Sequence, residues 1–114
     1  MHDSNLPIDL LELEQRVVAT ILDRPAAFRH LRRRLCPWCL FVDQRNALLV
    51  EQILKPRRWG FGELSRLLWR FGSTTLAAAE QYVCSLALTA GVEELGEALR
   101  VLQLARAAGE VHGS

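Results

Sequence analysis

The chain has 114 residues, enough for one domain with its own core and too few for a second. Half of the residues are hydrophobic and 24% are charged, which excludes wholesale disorder. Seven Gly and four Pro exclude a turn-rich β protein, and the dominance of Leu and Ala over Val and Ile favours helices. The net charge of +1 conceals an uneven distribution. Residues 1–23 carry five acids and one Arg, −4; residues 24–70 carry eleven bases and three acids, +8; residues 71–114 carry five acids and two Arg, −3.

Residues 1–6 read as a short flexible lead. Pro7 suits a first helical turn, with Asn5 or Asp9 as caps. Leu10, Leu13, Val17 and Ile21 then follow at helical spacing, with Leu22 beside them, while Glu12, Glu14, Gln15 and Arg16 fall mostly on the other face. Asp23-Arg24-Pro25 ends this helix. Pro25 opens a second one, with Phe28, Leu31 and Leu35 inward and Arg29, Arg32, Arg33 and Arg34 crowding its negative C-terminal end.

Cys36-Pro37-Trp38-Cys39 reads as a turn. Asp43 caps a third helix that runs to about Leu54, with Ala47, Leu48 and Ile53 apolar. Lys55-Pro56-Arg57-Arg58-Trp59-Gly60-Phe61-Gly62 is the clearest loop. A short fourth helix carries Leu64, Leu67, Leu68 and Phe71 on one side and ends at Gly72. Ser73-Thr74-Thr75 offers caps for a fifth, on which Leu76, Ala79, Val83 and Leu86 share a face. Gly91 punctuates, and a sixth helix from about Val92 places Leu95, Leu99, Leu102 and Ala105 or Arg106 in a stripe. The last two helices read as an αα-hairpin.

The fold expected is therefore all-α: a bundle of about six helices with a C-terminal αα-hairpin. A single domain spans 7–108, with a globular head at 7–72 and the hairpin at 73–108, and 109–114 form a tail.

Little in the sequence speaks for catalysis. The CxxC at Cys36 and Cys39 can be a redox pair or half of a zinc site completed by Cys84 or His30. The redox reading lacks a βαβ context and the zinc reading lacks a second ligand pair. Structural thiols are thus the preferred reading, with Cys84 a small core residue. His2 and His112 lie near the ends, and His30 stands beside the arginine run. There is no phosphate-binding loop; Gly60-Phe61-Gly62 is an isolated GxG. We expect no enzyme, no metal and no cofactor. The start is acidic and lacks an apolar stretch for export, and no apolar run reaches membrane-spanning length, so a cytoplasmic protein with reduced thiols is expected.

Two basic clusters, Arg32–Arg34 and Lys55–Arg58, with Trp59 and Phe61 able to stack on bases, offer a partner or nucleic-acid patch. Its members are Arg32, Arg33, Arg34, Lys55, Arg57, Arg58 and Trp59. Trp59 is expected in an exposed loop as an interface anchor, and Trp69 in the core or against the hairpin.

Leu6-Pro7, then Leu11-Glu12-Leu13-Glu14-Gln15, then an apolar helix through Ile21-Leu22-Asp23-Arg24-Pro25, resembles the start of DnaB-type replicative helicases. The N-terminal domain of that family opens with Leu-Pro, an acidic-Glu-Gln helix and a Leu-Asp-x-x turn. The stretch from Leu35 to Leu48, with Cys39-Leu40 and Gln44-Arg45-Asn46-Ala47-Leu48, is similar to the family's segment in which an aromatic pair precedes His-Arg and an apolar helix. Leu64 to Leu68 with Gly72, Tyr82-Val83 with Leu86, and Ala98 to Arg106 are similar to its later helices. The resemblance covers about residues 6–108 and none of the linker or ATPase domain. The sequence departs from the family where Cys39-Leu40 replaces the aromatic pair and where Lys55-Pro56-Arg57-Arg58-Trp59 replaces an acidic-apolar stretch.

The resemblance implies a helical head with a helical hairpin, no catalysis, self-association into a collar, and docking of primase. The expected function is a non-enzymatic interaction and oligomerisation module of DNA replication. Its expected partners are itself, the replicative helicase, primase or the helicase loader. The alternative is a small nucleic-acid-binding regulatory protein that uses the basic segment. A short hairpin cannot shield both of its apolar stripes. Val83, Leu86, Leu95, Leu99 and Leu102 are therefore expected to form a self-association seam, unless they fold back onto the head.

Overall fold

The structure is a computed structural model that describes residues 9–56, 59–72 and 74–113, with side chains as far as 108. The expected lead 1–6 with the cap Asn5, the first-turn residue Pro7, the basic residues Arg57 and Arg58, Ser73, and the side chains of the expected tail lie outside the described residues. Seven α-helices and one 3₁₀ helix are described, with no strand among these residues.

Helix α1 (Leu10–Asp23) begins where Asp9 caps it, its carboxylate accepting from Leu11 N at 3.0 Å. Arg24 breaks the helical geometry, and Pro25 restarts the chain as α2 (Pro25–Phe28). The arginine-rich stretch that follows tightens into the 3₁₀ helix Arg29–Arg33, which ends where Leu31 O accepts from both Arg34 N and Leu35 N. Phe28, Leu31 and Leu35 turn toward the core as their spacing predicts.

Pro37 starts the one-turn helix α3 (Pro37–Leu40), so the CxxC segment is a helical turn. Asp43 caps α4 (Gln44–Ile53), accepting from Arg45 N at 2.9 Å. Helix α5 (Phe61–Phe71) is followed by α6 (Leu76–Leu88), which Thr75 caps by accepting from Ala78 N at 3.1 Å. Helix α7 (Leu95–Gly113) continues into the stretch expected as a tail.

One hydrophobic cluster joins all the long helices. Val17, Val18 and Ile21 of α1 meet Leu49, Val50 and Ile53 of α4, Leu64 and Leu68 of α5, Val83 and Leu86 of α6, and Leu99 and Leu102 of α7. Helix α1 is the centre of the bundle and packs on α2, α4, α6 and α7.

The expected hairpin takes a different form. The most extensive helix pair is α5 with α6, whereas α7 packs on α1 and α3. The cause is the connection between α6 and α7, which is laid across α1. Arg16 donates to Ala90 O at 3.4 Å and to Gly91 O at 3.1 Å, and Val92 N donates to Thr20 Oγ1 at 2.9 Å.

Gly91 is required by this crossing, because a Cβ there would stand 2.7 Å from Thr20 Oγ1. Thr20 cannot easily yield, since its hydroxyl also donates to Arg16 O at 2.8 Å. Gly91→Ala is expected to cost about 1–3 kcal/mol of stability in denaturant titration. Gly96→Ala, where a Cβ meets nothing within 4 Å, is expected to be neutral or stabilising.

Candidate interaction surfaces and the buried polar node

Elements α1, α4 and α6 converge on a polar node inside the core. Glu14 and Asn46 are 1% and 0% exposed. The Glu14 carboxylate accepts from Val42 N at 2.6 Å, Asp43 N at 3.2 Å and Asn46 Nδ2 at 3.1 Å. Asn46 Oδ1 in turn accepts from the Tyr82 hydroxyl. Glu14 thus binds the N-terminal approach of α4 to the centre of α1, and Asn46 carries the connection on to α6.

Arg45 closes the outer side of the node. Its guanidinium lies 3.8 Å from the Tyr82 ring centroid and 2.7 Å from an Asp43 carboxylate oxygen. Burial alone would push the pKa of Asp43 up, but the hydrogen bonds and charge of Arg45 together hold its carboxyl below the ordinary value. Burial, assisted by the nearby Asp43 carboxylate, pushes the Tyr82 phenol up to about 12. The protonated phenol is therefore the form that the fold favours. The stability it contributes is complete below its unfolded value near 10 and is lost as the pH rises from there to about 12. Thermal melts are expected to show this loss, and Tyr82→Phe to remove that part of the alkaline profile.

The node is structural: the Glu14 carboxylate, the Asn46 amide and the Tyr82 hydroxyl are all engaged by other parts of the chain. The chemistry available to a partner lies outside it, on three surfaces.

The first is basic. Arg29, His30, Arg32, Arg33 and Arg34 line a shallow hollow of about 470 Å³ together with Leu54 and Pro56. The 3₁₀ helix and the start of the α4–α5 connection, at Leu54 and Pro56, are thereby brought together. Arg32, Arg33 and Arg34 are exposed, and Lys55 is half-buried beside the hollow. No acid lines it among the described residues, and Arg29 Nε is buried without a hydrogen-bond partner there.

Trp59, expected as an exposed anchor, is instead half-buried and packs against the core. The tryptophans that do reach solvent are Trp38, whose indole donates to Glu51 at 3.0 Å, and Trp69, which was expected inside. Phe71, expected on the apolar side of α5, is 71% exposed at the last position of that helix.

The second surface holds the CxxC. Cys36 caps α3, and Cys39 occupies its third helical position. Both are exposed, as is Cys84. The placement of Cys84 corrects the core assignment: Ala79, Tyr82, Val83 and Leu86 define the buried arc of α6, and position 84 points away from it. Among the described residues no group of three or more His, Cys, Asp or Glu is assembled to hold a metal. A zinc set of Cys36, Cys39, Cys84 and His30 is therefore not formed.

The third surface lies on α7. The residues expected to form a self-association seam are turned inward. Val83, Leu86, Leu99 and Leu102 are between 0% and 7% exposed and belong to the central cluster, and Leu95 is half-buried against it. These stripes are covered by the chain itself, because α6 and α7 each pack on α1. The apolar residues that α7 leaves uncovered are one step around the helix. Val101, Leu104 and Ala108 follow at i, i+3 and i+7, and all three are exposed.

No family model, curated protein or solved structure matches this chain. Among the described residues no helix is long and apolar enough to cross a membrane.

Proposed function

We propose that the protein is a non-enzymatic interaction and self-assembly module of the DNA replication machinery. Its partners are a second copy of itself, the replicative helicase, primase or the helicase loader. The observation that carries this reading is the outer strip of α7, where Val101 is 40% exposed and Leu104 65% exposed on a 19-residue helix. The inner strip of that helix already serves the core. A second apolar strip at helical spacing is suited to receive another helix or a hydrophobic groove. The resemblance of residues 6–108 to the N-terminal domain of DnaB-type helicases supplies the biological setting.

The variant Leu104→Glu tests the reading, because Leu104 touches solvent and its replacement leaves the core intact. It is expected to keep the helical circular dichroism and thermal midpoint of the parent while losing self-association in sedimentation. Unchanged sedimentation of an assembled parent and variant would reject the strip as the docking face.

A second reading is favoured by the basic hollow. Five adjacent cationic or titratable side chains bordering an acid-free concavity suit the phosphate backbone of a nucleic acid. Affinity for a DNA duplex is then expected to fall steeply with salt, and Arg32→Ala with Arg33→Ala to lower both the affinity and the slope. Salt-independent or undetectable binding would reject this reading.

A further inference from the structure

We propose that Cys36 and Cys39 form a reversible dithiol that closes into an intrachain disulfide by exchange with a carboxylate-bearing disulfide, received between Arg34 and Arg106. Three observations carry the assignment. The first is the turn. Cys36 O accepts from Cys39 N at 3.1 Å and from Leu40 N at 3.0 Å, which fixes the two cysteines at the ends of a closed four-residue turn. Such a turn brings its terminal Cα atoms within about 7 Å, and a disulfide spans about 4.4–6.8 Å. Cys36 is the N-cap residue of α3 and Cys39 the third residue of the same helix.

The second observation is that the turn is anchored from both sides while its sulfurs remain accessible. Phe41 N donates to Pro37 O at 2.9 Å, Leu40 is buried, and the intervening Trp38 is tied to Glu51. Both cysteines are nonetheless exposed.

The third is the setting. Cys36, Cys39, Arg34 and Arg106 line one hollow of about 280 Å³. Arg106 is fixed there by donating its Nε to Cys39 O at 3.0 Å. Two guanidinium groups beside a thiol pair favour an incoming disulfide that carries carboxylates, such as glutathione disulfide, over a cationic one such as cystamine.

The exchange balances as two displacements. One cysteine, as thiolate, attacks a sulfur of glutathione disulfide; a protein–glutathione S–S bond forms, the original S–S bond breaks, and the first glutathione leaves as thiolate and takes up a proton. The second cysteine thiolate then attacks the protein sulfur of the mixed disulfide and expels the second glutathione. The two protein thiols are oxidised, one disulfide is reduced to two thiols, and the two cysteine protons end on the released glutathiones. The third cysteine, Cys84, has no Cys at helical spacing and serves as an internal control.

The full chain is treated with glutathione disulfide or with cystamine, quenched by alkylation, and mapped by mass spectrometry. Glutathione disulfide is expected to yield a Cys36–Cys39 cross-link lacking two hydrogens, and at most a glutathione adduct on Cys84. Cys36→Ser and Cys39→Ser are each expected to trap the mixed disulfide on the remaining cysteine of the pair. Arg34→Ala, at an exposed position, is expected to slow closure by glutathione disulfide several-fold with no slowing by cystamine; high salt should act on the parent in the same direction. Separate adducts on Cys36 and Cys39 in the parent chain, or thiols that stay reduced while Cys84 reacts, would overturn the dithiol. Equal rates with the two disulfides in parent and Arg34→Ala would overturn the role of the arginines.

Discussion

Glu14→Ala is expected to lose about 3 kcal/mol or more of stability, enough to unfold a large fraction of a domain whose total stability lies in the usual range of about 5–15 kcal/mol. The carboxylate is 1% exposed and satisfies three donors: Val42 N, Asp43 N and Asn46 Nδ2. Removing it leaves the buried Asn46 amide and two part-buried backbone N–H groups without their acceptor, and an unsatisfied buried group costs about 1–3 kcal/mol. On α1 the neighbours of Glu14 are the apolar Val17, Val18 and Ile21, so no other side chain of that helix replaces the lost acceptor. Glu14→Gln keeps one acceptor oxygen and turns an amide N–H₂ toward a cluster of donors, so it is expected to fall between the parent and Glu14→Ala. Urea titration followed by circular dichroism measures both. A Glu14→Ala chain within about 0.5 kcal/mol of the parent would show that the node contributes nothing to holding α1, α4 and α6 together.

Leu99→Glu is expected to prevent folding of the single chain rather than to dissociate a folded oligomer. Leu99 is 7% exposed and lies in the same cluster as Val17, Ile21 and Leu102. A carboxylate placed there has no cation within the core to meet, and burying an unpaired charge costs more than the cavity left by most truncations. If Leu99 instead stood in a seam between chains, the variant would keep its helical content and shift to lower mass. The two outcomes are separated by one pair of measurements, circular dichroism and sedimentation velocity. Leu104→Glu on the outer strip is the matched control: it introduces the same charge on the same helix at a position that is 65% exposed.

Apolar spacing and caps made much of the fold legible in the sequence. Asp9, Asp43 and Thr75 each stand one residue ahead of a helix whose buried positions recur at three- and four-residue steps, and each caps as that pattern implies. The polar node was not legible in the same way. As an acid among Glu12, Gln15 and Arg16, Glu14 reads from residue type as part of the solvated face. Its position around the helix, between Val18 and Ile21 on the buried arc, was the available signal. Its partners are backbone N–H groups 28 and 29 residues away, and no local pattern announces those.

The same helical arithmetic places Cys84 outside, opposite Tyr82 and Val83. The destination of the seam residues was hidden for another reason. An apolar stripe specifies that it is covered, not by what, and here the cover is decided by the Gly91 crossing over Thr20. The meeting of the arginine-rich 3₁₀ helix with the start of the α4–α5 connection is likewise a tertiary fact. Residues 29–34 and 54–56 are separated by two helices, and only their packing on the common core brings them to one hollow.

The central claim is that this chain acts by binding the replication machinery through the outer face of α7. The most direct test is a pull-down of the parent and Leu104→Glu chains with the replicative helicase and primase of the same organism, at physiological salt, with both chains first shown to be folded. The parent is expected to capture one of the two, and the variant to capture neither. A folded parent that captures neither protein, or a variant that captures as much as the parent, would contradict the claim.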